Sequence, residues 1–348
     1  MKLNEICSKG KSSLRQKDVF NDGPYSVYGA SGIVGTTDDY QNEVPYVAVV
    51  KDGAGVGRAS ACEPMTSVLG TMQALIPNSN VERDYLLHLV RSLRLGEGFS
   101  GSTIPHIYFK DYGRLEVPLP PLEVQKQIVS QLGLVEAQIM QAEVQIEQLD
   151  SLVKSRFVEM FGDPVTAEAE CELLAIGNFA DVQTGATPLR RESKYYGGSI
   201  PWVKTGEVAR KFANGVEENI TEVAIKETNC KVFPAGTVLV AMYGQGDTRG
   251  KAAILPFEAA TNQACAAIMP SLAHNEVFLN AQLQLLYEDM RAKSLGGNQK
   301  NLSLGIVKSM KVILPPMEAQ QEFAAFVAQV DKSRFAWRAH MQLRVLAL

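Results

Sequence analysis

The sequence lacks any long hydrophobic run. No stretch of about eighteen consecutive apolar residues occurs among the 348 positions, and a membrane-spanning helix needs at least that length. The first residues are rich in charge, with Lys2, Glu5 and Lys9 among them, and do not form the apolar stretch of a secretory leader. We therefore expect a cytoplasmic protein that does not enter a membrane.

Cysteine and histidine are scarce and scattered. The cysteines form no Cys-x-x-Cys pair, and no histidine stands beside them at the spacing of metal ligands. We expect thiols that are buried or without a role, and no metal site in this chain. The four histidines form no evident acid–base pair with a nucleophile. The residues are Cys7, Cys62, Cys171, Cys230 and Cys265, and His88, His106, His274 and His340.

Catalytic motifs are also missing. A DNA amino-methyltransferase needs Asn or Asp before a double proline and an aromatic residue after it, to hold a flipped base. Here Pro120-Pro121 and Pro315-Pro316 stand between leucine and leucine or methionine. Asp181 followed by Glu192-Ser-Lys194 imitates a magnesium-dependent nuclease, but the surrounding residues show no alternation typical of a buried strand. We expect no catalytic site in this chain.

Two glycine-rich segments resemble nucleotide-binding loops only in part. Gly53-Ala-Gly-Val-Gly57 lacks the remaining spacing of a dinucleotide fingerprint. Gly250-Lys251 is followed by Ala252, and position 245, where a phosphate-binding loop needs glycine, is Gln245. We interpret both segments as tight hairpins.

Positive charge is not in excess. The formal net charge is −4, which does not favour nucleic acid as a partner of the isolated chain. The negative charge is concentrated in residues 122–171, which hold 3 basic and 9 acidic residues for a net −6, whereas residues 172–317 carry a net +2. We expect weak DNA binding by the chain alone, with a partner contributing positive surface.

The chain contains an internal repeat. Val117-Pro-Leu-Pro-Pro-Leu-Glu-Val-Gln125 returns as Val312-Ile-Leu-Pro-Pro-Met-Glu-Ala-Gln320, 195 positions later. Gly101 matches Gly296 at the same shift, and the segment from Val49 to Arg58 corresponds loosely to that from Ala241 to Lys251, with one residue inserted. A tandem repeat predicts two domains of one fold related by an approximate two-fold axis.

Each double proline is predicted to precede a long helix, because proline is favoured at a helix start. From Leu122 to Phe161 apolar residues recur at alternating steps of four and three, which is typical of a coiled-coil seam of about four heptads. These 40 residues would form a helix of about 60 Å. The seam comprises Ile128, Leu132, Val135, Ile139, Ala142, Ile146, Leu149, Val153 and Met160.

The second copy of the helix is expected to cover this seam in an antiparallel arrangement. Its stripe is interrupted by two arginines and is eight positions shorter than the first, so we expect close pairing in its proximal turns only. The equivalent positions are Phe323, Val327, Val330, Arg334, Trp337, Met341, Arg344 and Leu348.

With these motifs in order, the chain resembles the specificity subunits of Type I restriction-modification systems over nearly its whole length. The resemblance lies in the two Leu-Pro-Pro motifs with their following Glu and Gln, and in the central segment 154–164, KSRFVEMFGDP. It also lies in segments 24–32 (PYSVYGASG), 200–204 (IPWVK) and 260–263 (ATNQ).

The resemblance implies that each globular half is a target-recognition domain reading one half of a split DNA sequence, and that the helices are spacers docking two methyltransferase subunits. Two restriction subunits would complete the complex. S-adenosylmethionine, ATP and Mg²⁺ would belong to these partners, and this chain would direct adenine methylation or cleavage without catalysing either. The alternative is a scaffold module, built from a tandem repeat, whose helices only oligomerise.

We predict an α/β (α+β) fold with recognition domains at 1–121 and 172–316, spacer helices at 122–161 and 317–348, and a linker at 162–171. Polar side chains on glycine-rich loops are the candidates for DNA contact, since they can reach base edges and phosphates. In the first domain they are Tyr25, Tyr28, Ser31, Lys51, Arg58, Ser102, Thr103 and His106. In the second they are Arg190, Arg191, Lys194, Lys204, Tyr243, Gln245, Arg249, Lys251, Asn298, Gln299 and Lys300.

Overall fold

The computed structural model of the chain describes residues 1–97, 105–166, 173–212, 215–244, 246–294 and 301–346. The chain forms two compact units, Met1–Met140 and Gln141–Leu348, each described here by itself. One long helix ends the first unit and begins the second. The structure thus has the two-domain organisation that the repeat predicts.

The first unit combines short helices with two small sheets. Its strands are β1 (Cys7–Lys9), β2 (Tyr25–Gly29), β3 (Gly32–Thr37), β4 (Tyr46–Val50), β5 (Ala59–Cys62), β6 (Ser67–Val68) and β7 (Met72–Pro77). Its helices are α1 (Leu3–Ile6), α2 (Arg83–Ser92), α3 (Phe109–Tyr112) and the long α4 (Leu122–Phe161).

The second unit repeats this plan with additions. Its strands are β8 (Leu173–Ala175), β9 (Val182–Thr184), β10 (Tyr196–Val203), β11 (Asn219–Ile220), β12 (Val232–Phe233), β13 (Val238–Ala241), β14 (Ala252–Ile254), β15 (Ala259–Thr261), β16 (Cys265–Ile268) and β17 (Lys311–Ile313). Its helices after α4 are α5 (Thr205–Ala209), α6 (Glu222–Glu227), α7 (Glu276–Leu285), α8 (Tyr287–Ala292), α9 (Leu304–Ser309) and α10 (Met317–Leu346).

The larger sheets of the two units have the same topology. In the first unit the order is β1-β7-β4-β5, and in the second it is β9-β16-β13-β14, with every pair antiparallel. The smaller sheets also agree, because β2 pairs parallel with β6 and antiparallel with β3, as β10 does with β15 and β11. The repeat seen in the sequence is therefore a repeat of the fold.

The register corrects one detail of the sequence comparison. In the first hairpin the Gly57 amide donates to Val50 O and the Val50 amide to Arg58 O. In the second, the Gly250 amide donates in the same way to Ala241 O and the Ala241 amide to Lys251 O. Val50, not Val49, is thus the equivalent of Ala241, and two residues are inserted between the copies. Gly57 and Gly250 both adopt positive φ, 85° and 89°, which confirms the interpretation of these segments as tight turns.

Each domain has its own apolar core between the larger sheet and one capped helix. In the first, Val47 and Leu75 of the sheet and Leu86 of α2 are fully buried. The Glu82 side chain caps α2 by accepting a hydrogen bond from the Tyr85 amide at 2.6 Å. The Asn275 side chain caps the equivalent α7, so the two helices start in the same way.

Both long helices begin directly after the double prolines, as predicted, and α4 spans Leu122–Phe161. The predicted seam residues of α4 are all buried or half-buried, while positions between them such as Leu134, Met140 and Leu152 are exposed. The heptad pattern therefore identified the less exposed face of the helix.

In the second unit α10 packs antiparallel to the last turns of α4. Arg156 of α4 pairs with Glu322 near the start of α10, and Asp150, earlier on α4, pairs with the later Arg334. Arg334, one of the two arginines that interrupt the apolar stripe, thus forms an ion pair between the two helices. Trp337 is 38% exposed, and the side chains of Met341, Arg344 and Leu348 lie outside the described part.

Four aromatic rings join the helix pair to the second domain. Phe157 of α4 lies 5.4 Å from Phe323 of α10 and 5.3 Å from Phe278 of α7, measured between ring centroids. Phe161 lies 5.0 Å from Phe278. Phe157, Phe278 and Phe323 are fully buried, so this cluster fixes α4 and α10 to the domain that α7 belongs to.

The four cysteines in the described residues are free and buried, as expected, and Cys171 lies outside them. Burial raises the pKa of Cys7 and of Cys62 to about 12. These thiols are therefore protonated at neutral pH. Burial is the largest influence on both thiols, and it disfavours the thiolate that a nucleophile needs.

Candidate nucleic-acid interface

Three backbone hydrogen bonds define one end of each domain, which we call the loop end. In the first domain, the Leu69 amide bonds to Tyr28 O, the Lys51 amide to Thr71 O and the Ile107 amide to Lys51 O, each at 3.0 Å. These bonds bring together the ends of β2 and β4, the turn between β6 and β7, and the segment that enters α3.

The second domain has the same loop end. The Asn262 amide bonds to Val203 O at 3.0 Å, the Met242 amide to Ala264 O at 2.8 Å and the Leu302 amide to Met242 O at 3.0 Å. Lys204, Tyr243 and Asn301 are therefore neighbours, although about a hundred residues separate the first from the last along the chain.

In the first domain, the loop end gathers several of the predicted contact residues. Lys51 is half-buried and Arg58 is exposed in the β4–β5 hairpin, while Ser31 is exposed in the turn after β2. His106 Nδ1 lies 2.6 Å from Asp52 Oδ1, which fixes the imidazole ring beside Lys51. Ser102 and Thr103 lie outside the described residues.

The two predicted tyrosines are placed differently. Tyr25 begins β2, at the strand end away from this loop cluster, and its ring packs edge-on against Tyr40 at 5.0 Å. Tyr28 packs against the buried cluster that contains Tyr46, and burial raises the pKa of its phenol. Tyr28 is thus part of the edge of the core.

A shallow groove of about 510 Å³ lies beside the Gly57 turn and was not found from the sequence. Arg58, Arg91 and Arg94 line it. Arg91 is held by Glu136 of α4 at 3.1 Å, and the Arg94 side chain is 76% exposed, 3.7 Å from Glu97. No sequence signal could have joined these arginines, because Arg91 lies in the last turn of α2 and Arg94 follows that helix, more than thirty residues after Arg58.

In the second domain, the predicted Arg190 and Lys204 belong to one ionic cluster. Arg190 pairs with Glu218, and its guanidinium lies 4.7 Å from the Tyr196 ring and 5.0 Å from the Trp202 ring. Lys204 Nζ lies 3.6 Å from the same Glu218 carboxylate. The hydrogen bond from Arg190 lowers the pKa of Glu218, so that this carboxylate is ionised at neutral pH.

Arg191 and Lys194 precede β10, whereas Lys204 follows it. β10 is irregular, because Tyr196 and Ile200 both pair with Ile220. Lys194 pairs with Glu227, and Arg191 is 82% exposed, 3.8 Å from Glu192. The structure therefore divides the predicted residues of the second domain into separate groups.

The hairpin after β13 carries three more of the candidates. Tyr243 is exposed, and Lys251 Nζ lies 3.6 Å from Asp247 and 4.8 Å from the centre of the Tyr287 ring. The carbonyl of Arg249 accepts a hydrogen bond from Arg291 at 3.1 Å. Gln245, Asn298, Gln299 and Lys300 lie outside the described residues.

Among the described residues there is no group of three or more His, Cys, Asp and Glu side chains placed to bind a metal ion. Lys194 of the nuclease-like pattern lies in a single helical turn before β10, and Glu192 directly precedes that turn. This placement agrees with the absence of strand alternation in the sequence there. No helix within the described ranges combines the length and apolar character that crossing a membrane requires.

The duplicated domain, the pair of long helices and the polar loop end of each domain define a tandem-repeat protein. A sequence model of the family described as "Type I restriction modification DNA specificity domain" matches residues 1–149 and 168–341. The chain belongs to this family.

Curated relatives agree with this assignment. The chain is 27% identical over 161 residues to the MjaIX specificity subunit of Methanocaldococcus jannaschii and 23% identical over 171 residues to the EcoR124I/EcoR124II specificity subunit of Escherichia coli. These alignments cover 45% and 47% of this chain, but 37% and 42% of those proteins. A putative MjaX specificity subunit is 28% identical over 284 residues. That alignment covers 74% of this chain and 63% of the relative.

Solved structures share the fold. The S subunit of a Type I restriction-modification system from M. genitalium superposes with a TM-score of 0.55 at 14% identity, covering 100% of this chain and 92% of its own. A chain from a study of assembly and conformational transition in a Type I system gives 0.58 at 16% identity, covering 99% and 92%. The expected combination of helix and sheet in a repeated domain is thereby confirmed.

Proposed function

We propose that this protein is the sequence-specific DNA-binding subunit of a Type I restriction-modification complex, in which each loop end reads one half of a bipartite target. Methyltransferase subunits docked on α4 and α10 would methylate adenine at that target. Restriction subunits would cut DNA in which it is unmodified.

One observation carries the proposal. The two domains share their topology, their capped helix and the three hydrogen bonds of the loop end, but the side chains displayed there differ. Asp52 and His106 stand in the first domain where Tyr243 and Asn301 stand in the second, next to the equivalent bonds at Ile107 and Leu302. A repeated backbone arrangement that displays different polar side chains is suited to reading two half-sites of different sequence.

Membership of the family supports a proposal for the partners and cofactors. We propose two methyltransferase and two restriction subunits, with S-adenosylmethionine, ATP and Mg²⁺ bound by those subunits. The formal charge of −4 favours this division, because a chain with so little positive excess holds DNA weakly without a partner that neutralises phosphates.

The test is to express the chain with its methyltransferase subunits in a host without other adenine methylation and to map modified adenines across the genome. A bipartite target is expected. Replacing residues 172–316 with the equivalent domain of another family member should change one half-site and preserve the other. Changes in both half-sites, or no methylation in a complex shown to assemble, would refute the proposal.

The scaffold alternative makes a different prediction. A module that only oligomerises would bind a duplex containing the mapped target and a scrambled duplex equally. Its complex with the methyltransferase subunits would also show no loss of DNA binding when Arg58 and Lys204 are replaced.

A further inference from the structure

The ionic cluster beside β10 contains three cations and two carboxylates. Lys204 Nζ bridges the carboxylates, at 3.2 Å from Glu217 and 3.6 Å from Glu218. Arg210 pairs with Glu217 at 2.7 Å, and Arg190 pairs with Glu218. Each cation therefore faces a carboxylate, and these five side chains together carry a net charge of only +1.

A buried carboxylate fixes this cluster in place. Glu207 of α5 is 1% exposed and accepts hydrogen bonds from the backbone amides of Lys204 and Glu217, the latter at 2.9 Å. Glu207 thus ties the end of β10 to the segment that carries Glu217 and Glu218. Arg190 is held in turn by the Tyr196 and Trp202 rings. The arrangement is built into the domain.

Stability alone does not account for such an arrangement, since exposed ion pairs each contribute roughly 0–1 kcal/mol. These ion pairs have a larger effect on the binding of a polyanion such as DNA. A cation that faces a carboxylate releases few counterions when a DNA phosphate approaches, so binding that does not depend on sequence is weak. Only a duplex held in register by base contacts brings phosphates close enough to replace the carboxylates.

We propose that Glu217 and Glu218 form a charge lock that suppresses the binding of DNA without the target sequence. The inference rests on the proposed function and deepens it, because it assigns residues that determine specificity without contacting a base. In the complex with target DNA the lock is open, and in the complex with any other DNA it stays closed.

The test compares the variants E217Q and E218Q with the wild type, each as the full chain in complex with its methyltransferase subunits. Affinity is measured by fluorescence anisotropy over a salt series, for a duplex containing the mapped target and for a scrambled duplex of the same composition. For each carboxylate removed, the slope of log K against log salt for the scrambled duplex should steepen by about 0.9. Its affinity at low salt should rise at least about threefold.

The ratio of target to scrambled affinity should fall, because a carboxylate that stays beside its cation in the complex with scrambled DNA repels the phosphates there, whereas in the target complex its removal saves only the small cost of opening an exposed ion pair. E227Q is the matched control. It removes the same charge from a separate ion pair, that of Glu227 with Lys194, and it should leave the ratio at the wild-type value. Circular dichroism and thermal unfolding establish that each variant is folded.

Three results would overturn the charge lock: an unchanged ratio in both variants, an equal fall in E227Q, or a loss of target affinity alone, which would make Glu217 or Glu218 a base contact. A wild-type complex that does not distinguish the two duplexes would refute the proposed function instead. The two failures are therefore separable.

Discussion

Gln125 and Gln320 occupy the same position in the two copies of the domain, and both are fully buried. Each side-chain oxygen accepts a hydrogen bond from the backbone amide of the residue that caps the domain helix, Glu82 or Asn275, at 2.9 and 2.8 Å. Each side-chain nitrogen donates to a carbonyl before that helix and to the first proline of the double-proline motif. The repeated Gln therefore joins each long helix to its own recognition domain.

Replacing Gln320 with alanine should lower the free energy of unfolding of the second domain by about 3 kcal/mol, because one buried amide and two carbonyls lose their partner. Urea unfolding followed by circular dichroism measures the change. The adjacent Gln321 is exposed, so Gln321→Ala is the control and should behave as the wild type. Equal stabilities for the two variants would show that the clamp does not stabilise the domain.

Phe157→Ala should destabilise the second unit by about 3–5 kcal/mol, because it empties the centre of a cluster in which Phe157 touches Phe161, Phe278 and Phe323. Thermal unfolding gives the loss. Val158→Ala is the control, since that neighbouring side chain is 40% exposed. A loss below about 1 kcal/mol for Phe157→Ala would mean that the helix pair does not depend on this cluster.

Inserting four helix-forming residues next to Ala142 of α4 lengthens the helix by about 6 Å. If α4 sets the separation of the half-sites, the mapped target should have a different number of unspecified base pairs between them. The two half-sites serve as the internal control and should keep their sequences. A target with unchanged spacing would contradict the role of α4 as a spacer.

The combined replacement of Arg58 and Arg94 by glutamine should weaken binding to target and scrambled duplexes by the same factor. Groove arginines that contact phosphates position the protein and carry no sequence information. The slope of log K against log salt should become shallower by about 0.9 per arginine. Arg114, exposed just after α3, provides the control variant Arg114→Gln. A change in the recognised sequence would instead make these arginines base contacts.

His106→Ala should relax recognition at one base pair of the half-site read by the first domain, because Asp52 holds that imidazole at the loop end. A lost base contact costs about 1–3 kcal/mol of discrimination. Methylation mapping should show degeneracy at one position of one half-site. An unaltered target would remove His106 from the reading surface.

Much of the architecture could be predicted because it depends on local sequence patterns. The double prolines and the step of four and three residues placed α4 at Leu122–Phe161, and the repeated Leu-Pro-Pro motif predicted two domains of one fold. The candidate contact residues were less well defined. Polar residues such as Arg190 and Lys194 are neighbours in sequence, yet one joins the cluster of Glu218 and the other pairs with Glu227.

The sequence by itself determined the duplication, the position of the long helices and the buried face of α4, because helical periodicity and proline geometry act over a few residues. Only the tertiary structure decided which charges meet. The groove of Arg58, Arg91 and Arg94 and the cluster of Lys204, Glu217 and Glu218 are assembled by strand pairing and by the buried Glu207. Contacts of that kind depend on distances in space, which no local pattern encodes.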